Sequence, residues 1–231
     1  MEFTHLLIEN FGERYSETLR IILESGDEAE IFRWFLASIL FGAPIRGNSA
    51  INTYRCFERH GVLTPQRVLE TGWHGLVKIL DEGGYTRYDY KTSDKLLEVM
   101  GNLIDKYGGS LNLLHGQALD SEDLERRLRG LGKGIGNATV SIFLRELRGV
   151  WSKADPKPTP LVVLAAKNLG MIKREESKEA LTELKDYWKR NEVAGETFVN
   201  LETALLRVGK DLCRRNQCKG CKLRSHCSTA T

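Results

Sequence analysis

A chain of 231 residues, 41% hydrophobic and 28% charged, carries enough apolar side chain for one large core or two modest ones, so neither disulfide nor metal is required simply for it to fold. It holds no apolar run near the roughly 20 residues that span a bilayer, and Met1-Glu2-Phe3-Thr4-His5 lacks the basic-then-apolar character of a secretory signal. A membrane role is excluded on that reading, and a cytoplasmic location is the expectation. The net charge of +3 does not establish a nucleic-acid partner by itself; where the basic residues gather decides that.

Apolar residues return at helical spacing over 16–24, 28–42, 49–59, 65–70, 74–81, 92–107, 121–129, 137–147, 160–169, 177–191 and 197–212, and strand-like alternation is scarce, so the expected fold class is all-α. In chain order, Phe41-Gly42-Ala43-Pro44-Ile45-Arg46 interrupts the pattern first. Cys56, within Tyr54-Arg55-Cys56-Phe57, reads as a small core residue. Thr64-Pro65 sets a capping hydroxyl ahead of a proline at the first helical position, and Gly61, Gly72, Gly108-Gly109 and Gly170 follow apolar runs where left-handed caps sit. After Gly83-Gly84, the run Tyr85-Thr86-Arg87-Tyr88-Asp89-Tyr90-Lys91 interleaves rings with charges. Such rings stack on bases and such cations meet phosphate; the same run also suits an exposed loop whose tyrosines half-cover the core.

The segment Gly130-Leu131-Gly132-Lys133-Gly134-Ile135-Gly136-Asn137-Ala138-Thr139 joins two helical patterns through a Gly-Ile-Gly turn. Glycines permit positive φ and close backbone approach. A helix starting just after Gly136 would project free N–H groups from the turn, the geometry that holds a phosphate without reading bases. A plain glycine-rich helix connection fits the segment as well. Further on, Asp155 precedes Pro156-Lys157-Pro158-Thr159-Pro160, whose prolines break any helix there, and 177–191 mixes Lys178, Lys185, Lys189 and Arg190 with glutamates as an ordinary exposed face.

Four of the five cysteines lie in the last 19 residues, as Cys213-x4-Cys218-x2-Cys221-x5-Cys227. In a reducing cytosol such crowding points to metal or cluster ligation ahead of disulfides. Four thiolates suit tetrahedral zinc, for which His226 is a further ligand, and equally a [4Fe–4S] cluster. Arg214, Arg215, Lys219, Lys222 and Arg224 surround them with no acid among them. Such residues offset a thiolate cluster's negative charge and also suit phosphate binding that weakens with salt.

The stretch from Leu131 to Asp155 resembles the helix-hairpin-helix motif of the endonuclease III superfamily of DNA glycosylases (HhH-GPD). The likeness extends over roughly 28–227. It takes in the apolar helix around Trp34 to Leu40, the turn Gly83-Gly84-Tyr85, the helix after Lys91, and Asn200 to Cys227, similar to the family's last helix running into its cluster. The resemblance implies two helical lobes flanking a DNA-binding cleft. One would be a central domain over 28–135 with the hairpin at its end; the other would combine 1–27 with 136–231 and end in a cluster loop at 213–227. It implies a catalytic role for Asp155, 19 residues beyond Gly136. It implies DNA contacts from Lys133, Gly134, Ile135, Gly136, Asn137 and Thr139 and from Arg214, Arg215, Lys219 and Lys222, and a base pocket or wedge from Ala43, Arg46, Tyr85 and Tyr88. Because the family carries Cys-x6-Cys-x2-Cys-x5-Cys and this chain matches the last two spacings, it implies a [4Fe–4S] cluster on Cys213, Cys218, Cys221 and Cys227.

Three departures qualify the likeness. The Schiff-base lysine of bifunctional members, two residues after the second hairpin glycine, is here Ala138; the family's wedge glutamine has no counterpart, Ala43 falling about at its place; and prolines follow Asp155 at once. The expectation is therefore a monofunctional, monomeric base-excision enzyme acting on double-stranded DNA in the nucleoid. Asp155 and a water would release a damaged or mismatched base that has left the stack. A non-catalytic DNA-binding module and an abasic-site lyase using Lys133 or Lys153 are the alternatives. The lesion itself is not identified by the residues.

Overall fold

A computed structural model of the chain describes residues 2–228, which are helical throughout, with no strand among them. No helix among the described residues is long and apolar enough to cross a membrane. The helices are α1 (Glu2–Phe11), α2 (Tyr15–Thr18), α3 (Glu28–Phe41), α4 (Gly47–Arg59), α5 (Pro65–Glu82), α6 (Asp89–Tyr107), α7 (Leu111–Gln117), α8 (Ser121–Arg129), α9 (Asn137–Glu146), α10 (Pro160–Asn168), α11 (Ser177–Arg190) and α12 (Phe198–Asp211).

Local chemistry sets their ends. Asp27, Thr64, Ser110, Asp120 and Thr159 each accept a hydrogen bond at a helix start, and Pro65 and Pro160 occupy first-turn positions where no N–H is needed. Gly72, at φ 64° and ψ 173°, interrupts α5 and divides it into the two runs expected from periodicity. Two helices go beyond the sequence reading, α1 and α7. Conversely, the run expected over 16–24 is helical only at α2, since Arg20 adopts φ 59° and a 3-10 turn at Leu23–Ser25 follows.

The chain forms two compact units, 19–156 and 2–18 with 157–228. These boundaries differ from the expected 28–135 domain at both ends. The reason is packing: Trp34 Nε1 of α3 donates to the Phe143 carbonyl at 3.0 Å, and the Phe35 and Phe143 rings meet at 5.0 Å, so α9 belongs to the central helices. Residues 19–27 are tied in likewise, Ile22 N donating to Glu30 and Asn112 Nδ2 to the Gly26 carbonyl. Glu28 then accepts from Ser110 Oγ and the Leu111 and Asn112 N–H groups, joining the start of α3 to that of α7.

In the other unit, α12 packs against α10 and α1. Its start is a reciprocal capping box between Thr197 and Asn200, and Asn200 Nδ2 also reaches the Gly12 carbonyl at 3.3 Å. Gly209 sits where α12 crosses α10: a side chain there would overlap the Leu161 main-chain carbonyl. Gly209→Ala is expected to force these helices apart and to lower stability by about 1–3 kcal/mol, measured by denaturant unfolding of the whole chain.

Candidate functional site

The glycine-rich segment between α8 and α9 is a tight hairpin. Gly130 closes α8, Gly134 takes φ +88°, and Ile135 N donates to the Gly132 carbonyl at 3.2 Å. A non-glycine residue at φ +88° would be strained. Gly136 is extended (φ −94°, ψ 179°) and caps α9 with no side-chain hydrogen bond, so the N–H groups opening the helix meet no side-chain acceptor. Lys133, Gly134, Gly136, Asn137 and Ala138 are exposed. Ile135 is 4% exposed, so it joins the core by its side chain while its N–H closes the turn. Lys95 of α6 runs alongside: a Cβ on Gly134 would lie 2.6 Å from Lys95 Cε and 3.3 Å from Nζ. Burial draws the Lys95 ammonium below the usual lysine range.

Thr139 corrects a sequence expectation. Its side chain is 2% exposed and fills the space over Gly42, where any Cβ would overlap Oγ1. It is therefore a packing residue at the α3–α9 crossing and makes no DNA contact through its side chain. Tyr85 is corrected for the same reason. Its ring is 1% exposed and its hydroxyl donates to the Leu40 carbonyl at 2.8 Å, a core position from which no base can be stacked. Burial raises that phenol far above its ordinary range. Tyr88 remains half-buried beside it, ring to ring at 6.5 Å, with the Arg87 guanidinium over its ring at 5.7 Å from the centroid. Ala43 is half-buried in the turn after α3, and Arg46 is exposed as the residue preceding α4.

Asp155 lies at the end of a braced loop running from α9. Trp151, 3% exposed, stacks on His115 at 4.6 Å, meets Phe143 edge-on at 5.5 Å and donates Nε1 to Asn112 at 2.9 Å. Lys153 Nζ donates to the carbonyls of His115 and Gly116 at 2.8 and 3.3 Å, at the C-terminal end of α7 where a cation is favoured. That bonding counts against Lys153 as a nucleophile. Desolvation and the Lys153 charge hold His115 below its usual range. Asp155 itself accepts from Arg148 Nη1, while Arg148 Nη2 donates to the Pro156 carbonyl. Arg148 was not foreseen, and nothing in its sequence position marks it.

In the other unit, Cys213, Cys218, Cys221 and Cys227 all line one cavity of about 280 Å³, walled on its inner side by Leu164, Leu169, Val208 and Leu212. None of the four is joined in a disulfide. Burial pushes the Cys213 thiol up, Asn168 opposes that through a hydrogen bond, and the three neighbouring thiols add to it. Among the described residues, no three His, Cys, Asp or Glu side chains converge closely enough to hold a metal ion. Leu223, fully buried, pins the loop to the core, and Ser228 N donates to the Asn168 carbonyl at 2.8 Å. Arg214, Arg215, Lys219, Lys222 and Arg224 are exposed around the cavity. Lys222 also reaches Asn10 at 2.6 Å. No protein-family model matches this chain, and no curated protein matches it in sequence.

Proposed function

We propose that the protein is a monofunctional DNA glycosylase of base-excision repair. It acts on double-stranded DNA and hydrolyses the N-glycosidic bond of a damaged or mismatched base after that base has left the stack. The observation that carries this reading is the hairpin. A left-handed Gly134, an extended Gly136 and an uncapped helix start present backbone donors suited to a phosphate, in the same compact unit as the Asp155 carboxylate. A carboxylate beside the anomeric carbon stabilises the positive charge that develops there and orients the attacking water. With Ala138 where an amine would be needed, and Lys153 bonded to main-chain carbonyls, hydrolysis without strand cleavage is the favoured outcome.

The four cysteines would hold a [4Fe–4S] cluster. A single zinc ion needs its sulfurs about 2.3 Å away. Four thiols lining one cavity of about 280 Å³ supply donors that either zinc or a cluster takes; the cluster is preferred because the last two cysteine spacings match those of the family the chain resembles. When bound, such a group supplies no step of a hydrolysis that moves no electrons. It would rigidify the loop that carries Arg214, Arg215, Lys219 and Lys222, exposed cations of the kind that meet phosphate.

The test is a panel of duplex oligonucleotides, each carrying one modified or mismatched base, with alkali cleavage to reveal abasic sites. Release from at least one substrate is expected, without borohydride trapping of a protein–DNA adduct. Salt-sensitive binding with no release from any substrate would instead establish a binding module. Trapping that is lost in Lys133→Ala would establish a lyase.

A further inference from the structure

We propose that Arg148 is a positioning residue that sets the aim of the Asp155 carboxylate, an inference that rests on Asp155 being the reacting carboxylate. Arg148 follows α9 in a turn that includes Gly149 at φ +81°. Its side chain is 7% exposed, whereas that of Asp155 is 41% exposed. One planar guanidinium therefore reaches outward from the protein interior to a carboxylate that stands partly in solvent. It takes hold of two successive residues at once, the Asp155 side chain through Nη1 and the Pro156 main-chain carbonyl through Nη2.

The need for such a fork follows from the sequence around it. Pro156, Pro158 and Pro160 have no N–H, so this segment has few main-chain donors with which to hold itself. A donor must come from elsewhere, and a guanidinium offers two in fixed geometry where an ammonium is a single point charge. The rest of the loop is fixed independently, by Trp151 on His115 and Asn112 and by Lys153 on the end of α7. Arg148 governs only the last step, the torsions that orient the Asp155 carboxylate. Because it is buried, it is not placed to bind a phosphate, and its effect should fall on turnover and not on affinity.

The experiment compares Arg148→Gln, Arg148→Lys, Asp155→Asn and the double variant Arg148→Gln/Asp155→Asn. It follows single-turnover base release on a substrate found active in the panel, together with duplex affinity and its salt dependence. Misplacement of a reacting group by about 1 Å costs on the order of 10²-fold, so Arg148→Gln is expected to slow base release by roughly 10- to 100-fold. Its affinity and salt slope should match those of the unmodified protein. Arg148→Lys should recover part of the rate, since it keeps the charge and one of the two bonds. The double variant should be no slower than Asp155→Asn alone, because a residue acting through Asp155 has nothing left to act on. Circular dichroism and the melting temperature of each variant verify that the fold is kept.

Full activity in Arg148→Gln overturns the inference. So does a loss of affinity with a shallower salt slope, which would make Arg148 a phosphate contact, and so does additive loss in the double variant. An Asp155→Asn protein that still releases base is a different failure. It removes the assignment of Asp155 itself and is recognised from that variant alone.

Discussion

Asp155→Asn should abolish base release while leaving DNA affinity nearly unchanged. The two carboxamide atoms occupy the space of the two carboxylate oxygens, so packing against Arg148 is largely preserved. What disappears is a full negative charge beside a sugar that becomes positive in the transition state. Loss of one preorganised electrostatic partner costs about 10²- to 10³-fold in rate, and loss of the group that orients the water adds to it. A fall of about 10³-fold or more in single-turnover rate is therefore expected. Affinity should hold because the proposed grip on the strand lies elsewhere, at Lys133, Gly134, Gly136 and Asn137, and all four are exposed at the hairpin. The measurement is alkali-revealed product from a lesion duplex, paired with binding to the same duplex. Undiminished release would remove Asp155 from the chemistry. A parallel loss of affinity would mean that the Arg148–Asp155 pair holds the loop and hairpin together, and that the variant reports structure.

The parts of this molecule that were legible in sequence are those whose cause is local. Long helices such as α3, α6 and α12 show their buried face in the periodicity of their own residues, and Gly72 marks the break in α5 because no other residue tolerates φ 64° as readily. Helix α7 escaped because seven residues are too few for a period to show. It is held by Glu28, more than eighty positions earlier. The burial of Tyr85 and Thr139 is hidden in the sequence for a related reason. A tyrosine after two glycines and a threonine in a first helical turn both look exposed locally, and only the approach of α3, through Leu40 and Gly42, buries them. Arg148 shows the same limit at the candidate site. Its link to Asp155 spans a turn whose course depends on Trp151 finding His115, and no spacing rule encodes that. The cysteines are the opposite case. All four lie within one short segment after α12, so the chain can scarcely avoid bringing them near each other, and the structure does gather them around one cavity.

That gathering makes Cys221→Ser the second variant with a large expected effect, and its consequences separate the two units. Between Leu212 and Ser228 the chain is built of three short 3-10 turns. Leu223 is its one fully buried side chain. Ordering these seventeen residues costs conformational entropy of order 1–2 kcal/mol per residue. A bound group linking four thiolates would help to offset that cost. Without one of the four, the purified protein is expected to lose the brown colour and visible absorption of an iron–sulfur centre, and residues 212–228 should become accessible to protease. Arg214, Arg215, Lys219 and Lys222 would then no longer be held in place. Each phosphate contact they contribute is worth a slope of about 0.9 in log affinity against log salt, so affinity should fall and its salt dependence should become shallower by about that amount per lost contact. Base release from duplex at saturating protein should change far less, because Asp155, Arg148 and the hairpin belong to the other compact unit. A colourless unmodified protein with one zinc per chain would replace the cluster by a zinc ion. A Cys221→Ser protein with unaltered salt slope would remove the basic loop from DNA binding whichever metal it holds.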